Sequence, residues 1–132
     1  MRNVAEKLRD LEQQIAAEKG SFSLFALFLR QDSPDKWDVV ASAPWLEKNK
    51  EAGLSYLADS VRSVLDPGEL LSISKIVLVD QDDPALEPVR KALKAEHEVT
   101  EVRDCNFFGL EIKHGFIITS QRETENVIPG GG

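Results

Sequence analysis

The sequence predicts an α/β fold: a single three-layer domain with a mixed sheet of about five strands and helices on both faces. Three observations lead there. Residues 22–29 are apolar on both sides of an extended chain, residues 31–36 form a polar turn that leads straight into a second strand, and a later β-branched run is separated from that hairpin by helical periodicity.

Over residues 22–29, one side of a strand would carry Phe22, Leu24, Ala26 and Phe28, and the other Phe25, Leu27 and Leu29. A strand in a one-sided sheet alternates apolar with polar residues, so a run that is oily on both sides belongs in the centre, covered above and below. The turn QDSPDK supplies Asp, Ser and Pro, which favour turns through side-chain hydrogen bonds and a fixed φ. Six connecting residues allow an antiparallel hairpin and are too few for a parallel crossover, so residues 37–43 should pair directly with the first strand.

The remaining elements follow in order. Val4, Leu8, Leu11 and Ile15 share one face of a helix over residues 3–19, with Gly20 as its C-terminal cap. Residues 47–65 form a second helix through Leu54, Leu57, Ala58, Val61, Val64 and Leu65, weakened in its first half by Gly53. Asp66-Pro67-Gly68-Glu69 reads as a capping box that starts a short helix through Ile73. KIVLVD at residues 75–80 is expected to be a buried strand, joined to the hairpin by a right-handed parallel crossover. A helix presenting Leu86, Val89 and Leu93 follows, starting at Pro84 or Pro88. A weaker strand at residues 98–103, a connection at residues 104–109 and a one-sided strand at residues 110–120, bent at Gly115, complete the sheet.

Composition narrows the class. The chain has 132 residues, 42% hydrophobic and 30% charged, which suits one domain at residues 1–121; residues 122–132, ending in Pro129 and three glycines, read as a disordered tail. No apolar run approaches the roughly 18 residues of a membrane span, and the first residues are too charged for a signal peptide. A lone Cys105 agrees with a reducing, cytoplasmic location. The formal net charge of -7 argues against general nucleic-acid binding, which relies on cations displacing counterions at phosphates.

Two acidic groups are candidate sites. Asp80, Asp82 and Asp83 lie where a strand ends and a helix begins, so their carboxylates could hold Mg²⁺ or could serve as turn and cap residues. Asp104 with Glu111-Ile112-Lys113 is similar to the PD-(D/E)XK nuclease pattern, although Arg103 stands where that pattern has proline. The resemblance implies a divalent metal held by Asp104 and Glu111, with Lys113 positioning water. Cys105, His97 and His114 have neither the surroundings of a thiol enzyme nor the ligand count of a zinc site. Trp37, Trp45 and Tyr56 suit either the edge of the core or a contact surface.

The function expected from these features is a non-catalytic accessory or protein-interaction module with a protein partner or self-association, possessing no cofactor. A divalent-metal nuclease or phosphodiesterase using Mg²⁺ at Asp104, Glu111 and Lys113 is the alternative.

Overall fold

The computed structural model describes residues 1–33, 35–107 and 110–121. Within them the chain runs α1 (Arg2–Lys19), β1 (Leu24–Arg30), β2 (Trp37–Ser42), a 3-10 turn (Pro44–Lys48), α2 (Lys50–Val64), α3 (Pro67–Leu70), β3 (Ile73–Leu78), α4 (Leu86–Ala92), β4 (Thr100–Phe107) and β5 (Leu110–Ser120). The tail expected at residues 122–132 lies outside the described residues. Among those described, no helix is long and apolar enough to cross a membrane.

The strands form one mixed sheet in the order β3-β2-β1-β5-β4. β1 is central, antiparallel to β2 on one side and to β5 on the other. β3 lies parallel to β2, reached through α2 and α3, as the crossover length requires. The side chains of β1 divide by parity: Phe25, Leu27 and Leu29 enter a cluster with Leu8, Leu11 and Ile15 of α1 and with Leu57 and Val61 of α2. Leu24, Ala26 and Phe28 enter a second cluster with Val40, Ile112 and Ile117 and with Leu86 and Val89 of α4. Both faces of β1 are therefore dry, and the two-sided apolar run has its physical cause.

Local signals hold at several boundaries. Gly20 caps α1 at φ 123, donating its N–H to Ala16 O. At α3 the Asp66 carboxylate accepts the Glu69 N–H while the Glu69 carboxylate accepts the Asp66 N–H, the reciprocal pair that the sequence suggested. Gly53 sits in close approach to Leu46, which explains a glycine inside α2: a Cβ there would lie 2.5 Å from Leu46 Cδ2.

Four sequence expectations are corrected. The KIVLVD run is an edge strand with half-exposed residues rather than a buried one, because β2 occupies the position between it and β1. Residues 104–107 are not a connection; they continue β4, paired with β5 through Cys105↔Ile112 and Phe107↔Leu110. β5 is covered on both sides instead of one: register shifts against β1 put Ile112 and Ile117 in the second cluster but Phe116 and Ile118 in the first. Finally, α4 begins at neither proline. Pro84 belongs to the preceding turn and Pro88 falls in the first turn of the helix Leu86–Ala92.

One polar group crosses the first cluster. Glu12 is fully buried on α1, where Thr119 Oγ1 donates to its carboxylate at 2.9 Å and His97 Nδ1 lies 2.5 Å away. Burial pushes the Glu12 carboxyl above its ordinary range, and the bonds from His97 and Thr119 pull the other way. These bonds tie α1 to β5 and to the loop before β4.

Candidate functional site

α4 spans only Leu86–Ala92, too short to roof the whole second face of the sheet. Cross-strand register shows what is left open. Gly115, Phe28, Asp38 and Lys75 form one row across β5, β1, β2 and β3, and Ile117, Ala26, Val40 and Val77 form the next. Over the β1–β3 part of these rows lies a cavity of about 330 Å³, lined by Phe28, Val40, Val77, Val79, Leu110 and Ile112 among others. Its size and apolar floor with a few polar groups are those of a small binding pocket.

Gly115 gives the floor its shape. A Cβ at this position would lie 2.8 Å from Phe28 Cδ1 and 3.0 Å from Val102 Cγ2, so only glycine lets the Phe28 ring lie flat against β5. Phe107 of β4 holds the other side of that ring, with centroids 5.4 Å apart.

Charge is distributed unevenly around the pocket. At one end are Arg30, Asp38 and Lys75. The Asp38 side chain is only 8% exposed, with Arg30 Nε at 3.4 Å. Burial raises its carboxyl above the usual aspartate range, while Arg30 and Lys75 oppose that rise. Arg30 also lies 3.5 Å from Asp32. At the other end stand Asp80 and Asp83. This rim is fastened to the sheet: Ser23 Oγ donates to Gln81 Oε1 at 2.8 Å, Gln81 Nε2 donates to Ser42 Oγ at 2.6 Å, and Val79 N–H bonds Ala41 O.

The acidic residues singled out by sequence separate here. Asp83 Oδ1 accepts the Ala85 N–H at 2.9 Å and so performs the turn role open to it, Asp80 pairs with Lys50, and Asp82 is exposed in the turn between them. Asp104 and Glu111 do come together, lining a second cavity with Gln31, Asn106, Cys105 and Ile112. Lys113 is not part of it. The register shift between Leu29↔His114 and Arg30↔Ile112 makes Lys113 the extra residue of β5, and Asp104 across from it adopts φ 49. Among the described residues, no three His, Cys, Asp or Glu side chains are grouped so that they could hold a metal ion.

The other candidates have structural partners. Cys105 is half-buried, and burial, with the Asp104 charge, raises its thiol and disfavours the nucleophilic thiolate. His114 Nε2 lies 2.5 Å from Glu101 Oε2. Trp37 is a core residue stacked on Phe116, whereas Trp45 and Tyr56 line a shallow groove with Lys19, Lys48 and Asn49. Sequence reasoning missed Glu12 and Asp38. Glu12 is four residues from Leu8 and three from Ile15, inside the buried stripe, and that position was the available signal. Asp38 alternates with Trp37 and Val39 in an otherwise apolar strand.

A scan against family models, a search of curated proteins and a search of solved structures each found no match for this chain.

Proposed function

We propose that this chain is a non-catalytic binding module that receives an extended segment of a protein partner on the open half of its second sheet face, beside the edge of β3. The observation that carries this reading is the cavity between the turn after β3 and the start of β5, whose apolar floor adjoins a strand with one edge unpaired among the described residues. An exposed edge offers backbone N–H and C=O groups for strand addition, and alternate side chains of the added strand enter neighbouring pockets. The net charge of -7 supports a protein rather than a nucleic-acid partner. Affinity isolation with the full chain and with Val77→Lys tests it. A partner retained by the wild type and lost with the variant is the expected result, and light scattering tells a second copy from a different protein. Equal capture by a folded Val77→Lys chain would remove the reading.

A second reading rests on Asp104 and Glu111 sharing a cavity. Two carboxylates with several waters can hold Mg²⁺, and this is the arrangement a phosphodiesterase would use. Mg²⁺ or Mn²⁺ titration of wild type and Glu111→Ala is the test; identical traces end it.

A further inference from the structure

The side chains lining the two ends of the pocket differ in the sign of their net charge, and Lys75 and Asp80 mark those ends along β3 and its continuation. Lys75, Val77 and Val79 alternate onto the pocket side of β3 and its continuation, and Asp80 and Asp83 close the far end. Lys75 is exposed and makes no ion pair among the described residues; its cross-strand neighbour Asp38 is buried and already engaged by Arg30. Among the side chains that line this end, two cations stand against one carboxylate, while Asp32 meets Arg30 from outside the lining. At the far end two carboxylates line the pocket, and Lys50 pairs with Asp80 from outside the lining, so the wall facing the cavity is negative.

We infer that the segment taken up beside β3 carries an acidic residue that lies against Lys75 and, on the same face four or six positions away, a basic residue that lies against Asp80 and Asp83, with apolar side chains at the alternating positions between them. The spacing follows from strand geometry: the five steps from Lys75 to Asp80, at about 3.3 Å each, span about 16 Å, and the same-face positions of an added strand that bracket this span are four and six residues apart. The apolar positions follow from Val77 and Val79, which face the cavity between the two charged ends. Opposite charges placed so select the position of the segment and reject one whose charges are alike. This inference rests on the binding-module reading and adds to it the chemical pattern of the partner.

The test selects peptides from a phage-displayed random library on the immobilised full chain in four forms: wild type, Val77→Lys, Lys75→Glu and Lys75→Gln. Circular dichroism confirms that each form is folded. The expected result is that the wild type enriches sequences with an acid and a base four or six residues apart and apolar residues at the alternating positions between. Lys75→Glu should enrich a base in place of the acid and bind the wild-type peptides about tenfold more weakly, with Lys75→Gln intermediate. Val77→Lys should enrich none of them. If the wild type and Lys75→Glu enrich the same peptides, the charge pattern is overturned while the binding module stands. Enrichment of the same peptides by Val77→Lys, or none by the wild type, overturns both.

Discussion

Gly115→Ala tests how the pocket floor is built. The added methyl would meet Phe28 Cδ1 at 2.8 Å and Cε1 at 3.1 Å, with Val102 Cγ2 at 3.0 Å on the other side. Phe28 is fully buried and held by Phe107, so the ring has little room to retreat except into the pocket. Overpacking of this kind costs about 1–3 kcal/mol. Replacing a strand glycine by alanine returns about 0.5–1 kcal/mol through the backbone. The net loss therefore lies between about 0 and 2.5 kcal/mol, centred near 1 kcal/mol, and that central value lowers the urea midpoint by about 0.5 M for a slope near 2 kcal/mol per molar. Phe28→Leu removes the atoms that clash, so the double variant should lose about 1 kcal/mol less than the sum of the two single losses. Urea unfolding followed by tryptophan fluorescence measures all three variants. A Gly115→Ala chain as stable as the wild type, or strict additivity with Phe28→Leu, would refute the close-approach explanation.

Other consequences are open to the same methods. Leu8→Ala empties a fully buried position of α1 and should cost about 2–5 kcal/mol in urea unfolding. Asp66→Ala removes the cap of α3 and should cost about 1 kcal/mol, with the loss seen in the urea midpoint. Glu12 is expected to make stability depend on pH. Because burial raises its carboxyl above the ordinary 4.5, the native chain binds more protons than the unfolded one between that value and the raised one. This contribution to stability is fully present below 4.5 and falls as pH rises through the interval, so Glu12→Gln should flatten the slope of midpoint against pH there; an unchanged slope would count against the buried carboxyl as its source.

What could be read from the sequence was what local physics determines. The hairpin, the dry central strand, the stripe of α1 and the capping box at Asp66 each depend on residues a few positions apart, and each is present in the structure. What could not be read depends on neighbours distant in the chain. A β-branched run looks alike in a central or an edge strand, so KIVLVD was expected to be buried although strand order leaves it at the margin. The face switches in β5 come from register shifts, which erase the period-2 signal where it is needed to assign Lys113, Phe116 and Ile117. Asp80 and Asp83, singled out in the sequence as a candidate metal site or turn residues at the end of a strand, line the pocket; the pocket itself was not legible, because its walls come from β1, β2, β3 and β5 and the turn after β3, which are far apart in the chain. Glu12 meets His97 across 85 positions, a pairing that no window along the chain contains.

Hydrogen–deuterium exchange of the full chain, alone and with the partner isolated on it, addresses the open half-face most directly. Amides of β3 (Ile73–Leu78) and its continuation to Asp80 should exchange more slowly in the complex, together with those near Leu110 and Ile112, while α1 and α2 stay unchanged. Slowing confined to α1 and α2, with β3 exchanging as it does in the free chain, would contradict docking at that edge.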